Sequence, residues 1–82
     1  MVTLQRGTVV RSGAGRDKGK LLAVMEATEE TLFLCDGKER PVERPKRKNP
    51  RHVTPTGQSL EEADLLCNRP LRKALRNLES TI

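Results

Sequence analysis

Lys20-Leu21-Leu22-Ala23-Val24-Met25-Glu26-Ala27 can be read as a helix or as a strand. Leu21, Leu22, Ala23 and Met25 are good helix formers, whereas β-branched Val24 suits a pleated strand. The flanks decide for strand. Downstream, Thr31-Leu32-Phe33-Leu34-Cys35 is a second β-like run, followed by Asp36-Gly37, a pair that favours a tight hairpin turn. With Glu29-Glu30 as the intervening turn, strands over 20–27, 31–35 and a short 40–43 form a meander. Leu22, Val24, Leu32, Leu34 and Val42 are its core candidates.

Upstream lies Gly7-Thr8-Val9-Val10-Arg11-Ser12-Gly13-Ala14-Gly15-Arg16-Asp17-Lys18-Gly19-Lys20, a β-prone run feeding a loop that is both glycine-rich and cationic. Gly13, Gly15 and Gly19 shape the loop so that another backbone can come close, while Arg16, Lys18 and Lys20 supply charge where the chain turns. Exposed amides and fixed positive charge both lower the energy of an anion, so the loop suits a phosphate-rich surface. A solvated turn between strands is the competing reading. Two nucleotide motifs are excluded. Gly19-Lys20 is followed by Leu21 where a P-loop needs Ser or Thr, and the spacing from Gly13 to Gly19 is one residue too long for a dinucleotide fingerprint.

Gly7-Thr8-Val9-Val10 and the loop from Gly13 to Lys20 resemble the KOW module of large-subunit ribosomal proteins and transcription elongation factors. The Asp36-Gly37 turn, the Arg44-Pro45-Lys46-Arg47-Lys48 run and the C-terminal helix extend the likeness to small bacterial KOW-domain RNA-binding proteins related to archaeal and eukaryotic-type ribosomal proteins. The resemblance implies a mainly β fold, a small SH3-like barrel over residues 1–56 with a helical appendage over 57–82. It also implies loops that contact RNA, or a protein of the ribosome or transcription machinery.

The chain has 82 residues, room for one domain with a thin core. Its net charge of +5 attracts polyanions, and the charge is segregated. Residues 5–20 carry five cations and one acid, and residues 38–52 carry seven cations and two acids, while 21–37 carry four acids and no cation. If the fold brings the two cationic blocks together, one face is basic. Pro41, Pro45, Pro50 and Pro55 argue for extended or irregular backbone through the second block and stiffen it, which reduces the entropy lost on binding. A merely solubilising basic loop is the alternative there. Cys35 and Cys67 lie far apart with no signal peptide ahead, which predicts a reduced, cytoplasmic protein. The longest apolar run, Leu21 to Met25, is too short for a membrane span.

Phe33 is the sole aromatic residue, expected in core or edge packing. Without further rings to stack bases, RNA recognition rests on backbone and shape. Near the C-terminus, Ser59-Leu60-Glu61-Glu62 matches a capping box, and Asn68-Arg69-Pro70 starts a second helix with Asn68 as cap. Leu71, Ala74, Leu75 and Leu78 form one apolar stripe, and Arg69, Arg72, Lys73 and Arg76 lie off it, either as a further phosphate contact or as a solvated face. The ligands Cys35, Cys67 and His52 lack zinc-site spacing, and no nucleophile stands beside the one histidine, so neither metal, cofactor nor enzyme activity is expected. The expected function is non-catalytic binding of structured RNA, ribosomal RNA first. Arg11, Arg16, Lys18, Lys20, Arg44, Lys46, Arg47, Lys48 and Arg51 would bind it. The alternative is a protein-interaction module that docks through the barrel or the leucine stripe.

Overall fold

A computed structural model describes residues 4–81. Five strands, β1 (Thr8–Ser12), β2 (Leu21–Ala27), β3 (Leu32–Cys35), β4 (Lys46–Lys48) and β5 (Val53–Ser59), form one antiparallel sheet in the order β4-β3-β2-β1-β5. A 3-10 turn, Pro50–His52, joins β4 to β5, and two helices follow, α1 (Glu62–Leu65) and α2 (Asn68–Thr81). The fold is mainly β with a C-terminal helix.

The ambiguous stretch is the central strand. Leu21, Leu22, Ala23 and Val24 are all buried, because β2 is covered on both faces, and an apolar run without alternation is what such a strand requires. Period-2 alternation sends its neighbours to opposite sides. Leu21 and Ala23 join Val9 and Cys35 beneath Leu65, Leu71 and Leu75 of the helices. Leu22 and Val24 join Val10, Leu32 and Leu34 on the other face. Burial of the expected core residues Leu22, Val24, Leu32 and Leu34 is complete to within 1% exposure, so the strand reading and its inward face both hold. Val42 is only partly buried, against the helix-side cluster.

Three local expectations are corrected. Residues 40–43 are not a strand. Asp36 Oδ1 accepts from the amides of Lys38 and Arg40 at 2.8 and 2.9 Å, which opens the expected tight hairpin into a wider loop. The Val42 amide, which a ladder would have used, donates instead to Asn68 Oδ1 at 2.7 Å. Pairing with β3 falls to Lys46–Lys48, and the proline-punctuated segment continues into β5. Pro55 is tolerated because β5 is an edge strand, where a missing amide breaks no ladder bond on the outer side. β5 runs to Ser59, past the expected boundary at residue 56; residues 1–3 and 82 of the expected units lie outside the described residues.

The capping box is the third correction. Ser59 ends β5, paired with Thr8, and Glu61 caps α1 without a side-chain bond. Glu62 is drawn away by Arg6, whose Nε and Nη2 donate to its two carboxylate oxygens at 2.8 and 2.6 Å. Asn68 begins α2, yet its side chain holds the preceding loop, accepting from Val42 and donating to Glu43. The start of α2 also lies directly on Gly37, where φ is +80° and a Cβ would come within 3.0 Å of the Arg72 amide nitrogen. Only glycine admits that approach.

Candidate nucleic-acid interface

The loop between β1 and β2 is a compact knot of backbone bonds. Gly19 N donates to Ser12 O at 2.8 Å, Lys20 N to Asp17 O at 2.9 Å and Lys18 N to Gly15 O at 3.2 Å. Gly15 and Gly19 take φ values of +77° and +86°, which lets the chain reverse twice within eight residues. Gly13 serves differently: its amide donates to His52 O at 2.7 Å, and a Cβ there would sit 3.3 Å from the same oxygen.

Asp17, the loop's one acid, is turned inward and is 1% exposed. Its Oδ2 accepts from Arg40 Nη2 at 3.2 Å, while Asp17 Oδ1 and Arg40 Nε find no hydrogen-bond partner among the described residues. Adjacent Arg16 and Lys18 are both exposed. Burying the acid therefore leaves the outer surface of the loop cationic. Sequence reasoning missed this pair, because a charge run reads as uniformly solvated and Arg40 stands 23 residues away.

The two cationic blocks meet. Lys48 Nζ donates to Ala14 O at 2.7 Å, Gly13 N to His52 O, and Arg40 to Asp17, so three separate bonds tie residues of the second block onto the first loop. The first loop and the second block, including the 3-10 turn at His52, therefore lie side by side.

The predicted binding residues fall into two groups. Three are already engaged. Arg11 donates to Gly19 O at 2.7 Å and pairs with Glu79 at 3.3 Å; Lys20 pairs with Glu39 at 2.6 Å; Lys48 is held by Ala14. The Lys20 contact raises the lysine pKa and lowers that of Glu39, in each case mainly through their shared hydrogen bond. Among the described residues, the side chains of Arg16, Lys18, Arg44, Lys46, Arg47 and Arg51 enter no ion pair. On β4, Lys46 and Lys48 stand opposite Leu34 and Leu32 and share their face of the sheet, whereas Arg47 stands opposite Phe33 on the reverse face. Arg51 lines a groove with Glu29 and Glu30.

Phe33 is half-buried and belongs to neither core cluster; its cross-strand neighbours are Glu26 and Arg47. Leu71 and Leu75 are buried on the sheet. Lys38, which the sequence reading did not single out, shares a groove with Lys20, Arg72 and Arg76. Its only signal in the sequence was membership of the second cationic block.

Cys35 is buried, and burial is the main cause that pushes its thiol up to about 11. Among the described residues, no group of three or more His, Cys, Asp and Glu could hold a metal ion, and no helix is long and apolar enough to cross a membrane. A search of protein-family models gave no match to this chain, and no curated protein matches it significantly.

Proposed function

We propose that this protein binds structured RNA, ribosomal RNA foremost, without catalysis or cofactor, through phosphate contacts made by the β1–β2 loop and the β4 segment. The observation that carries the reading is the Lys48 bond to Ala14 O, which docks the second cationic block onto the glycine loop, where among the described residues Arg16, Lys18 and Lys46 enter no ion pair. The resemblance of Gly7 to Lys20 to the KOW module supports the same conclusion, with the sheet read as an SH3-like barrel. In support, β4 and β5 are the two edges of the meander, a single 3-10 turn joins them, and Lys48 and His52 both reach the end of β1.

Docking of a partner protein on the leucine stripe is disfavoured, because Leu71 and Leu75 already cover the protein's own sheet. The deciding experiment is a salt titration of binding to a folded RNA. With about five phosphates neutralised, log affinity falls against log salt with a slope at least as steep as about −3.5 to −4.5. Arg16→Glu with Lys18→Glu weakens binding at unchanged thermal stability. A flat salt response, or wild-type affinity in that double variant, rejects the proposal.

A further inference from the structure

The outer face of α2 remains without a role once its leucines are docked. Arg69, Arg72, Lys73 and Arg76 recur at i, i+3, i+4 and i+7, so they form one stripe on the side of the helix opposite Leu71, Ala74, Leu75 and Leu78. All four cations are exposed, and among the described residues none enters an ion pair. The stripe also connects to the loop surface: Arg72 and Arg76 line the groove that contains Gly19, Lys20 and Lys38.

Acids line that groove too, but each is occupied within the protein. Glu39 holds Lys20, Glu79 holds Arg11, and Asp36 accepts from the Lys38 and Arg40 amides. Among the described residues, Lys38, Arg72 and Arg76 have no such partner. The lining holds four cations, Lys20, Lys38, Arg72 and Arg76, against three acids, one of which, Glu79, pairs with Arg11 outside the groove, so the surplus there is positive.

We propose that this stripe is a second phosphate track for the same RNA, so that one folded RNA contacts the β1–β2 loop and α2 together across the Lys20–Lys38 groove. The inference rests on the RNA reading above. A nucleic acid fits this face better than a protein does. The stripe carries four cations and no aromatic or apolar side chain, so it lacks the apolar centre of a protein interface, while its three arginines suit bidentate phosphate contacts and phosphate neutralisation needs only the charge. From Arg69 to Arg76 the helix rises about 10 Å, enough to face about two to three successive phosphates of one strand.

The test is the salt slope, measured with an RNA hairpin whose stem of about 16 base pairs reaches across successive grooves. Wild-type protein gives a slope of about −5 to −7, and Arg69→Gln, Arg72→Gln, Lys73→Gln and Arg76→Gln together return it to about −3.5 to −4.5. Glutamine keeps helix propensity, and circular dichroism verifies that α2 persists. Arg72→Gln with Arg76→Gln alone, a smaller change, reduces the slope by about 1 to 2. A steep wild-type slope left unchanged in both variants overturns the α2 inference and leaves the loop reading standing. A flat wild-type slope removes both. If the fourfold variant keeps the slope but no longer retains an acidic protein from RNase-treated extract, the face belongs to that protein and the inference falls.

Discussion

Removing either member of the Asp17–Arg40 pair destabilises the fold, and the two removals differ in size for a reason visible in their exposure. The Asp17 side chain is 2% exposed and that of Arg40 is 25% exposed. In Arg40→Ala, a carboxylate is left inside the protein with no counter-charge and no route to water, and stranding a buried ion in this way costs about 3 to 5 kcal/mol. In Asp17→Ala, the stranded guanidinium has only to swing its long stem outward, so about 1 to 2 kcal/mol is expected, toward the value of a partly solvated pair. For a domain of this size, 1 kcal/mol moves the melting temperature by about 4 to 8 °C. Asp17→Ala therefore melts about 5 to 15 °C below wild type, and Arg40→Ala lower still. The double variant recovers part of the Arg40→Ala deficit, since no ion is then left alone. RNA affinity supplies an independent readout. Deleting an acid from a basic loop would strengthen phosphate binding if charge alone mattered; if the pair positions the loop, Asp17→Ala weakens binding several-fold at temperatures where the variant is folded. Equal melting shifts for the two single variants, or tighter RNA binding by Asp17→Ala, would refute the reasoning.

Three further outcomes are expected. Arg6 holds the Glu62 carboxyl below the ordinary carboxylate range, chiefly by a hydrogen bond, and Lys20 does the same to Glu39. The unfolded chain then takes up protons near pH 4.3 before the folded chain does, so these contacts stabilise above that pH and are lost as pH falls through the lowered values. Melting curves between pH 7 and 3 should show a shallower acid limb for Arg6→Gln than for wild type. Glu39→Gln frees Lys20 for phosphate, so RNA binding at low salt tightens about two- to three-fold and the salt slope steepens; unchanged affinity in filter binding would count against Lys20 as a contact. Alkylation at pH 8 followed by mass spectrometry should add one label rapidly at exposed Cys67, while Cys35, buried and with its thiol raised to about 11, reacts only as the fold opens.

What could be read from the residues was whatever depended on near neighbours. The β-prone run at Thr8–Val10, the apolar runs over 20–27 and 31–35 and the leucine stripe of α2 are each legible within a few residues, and they placed three strands and the last helix. The strand at Lys46–Lys48 was hidden because prolines at 45 and 50 signal irregular backbone, whereas here they only bound a short edge. The helix cap failed for a related reason: Ser59 and Glu62 have the right spacing, but a strand partner and Arg6 compete for them more strongly. Among the predicted contacts, Arg11 and Lys20 proved to be partly neutralised by Glu79 and Glu39, which stand 68 and 19 residues away and could be matched to them only in three dimensions. The inward-facing Asp17 was illegible for the same reason.

The brevity of β4 has a consequence for solubility. Any sheet with an unpaired margin invites a neighbouring molecule to continue it. Here one margin is three residues long, wholly cationic and bracketed by prolines, so two copies approaching along it repel before they can zip together. That protection depends on the charge staying bare. A short polyanion that coats Lys46, Arg47 and Lys48 without filling the rest of the surface would lift the repulsion, and turbidity near charge equivalence, clearing with excess of either component, is its expected signature.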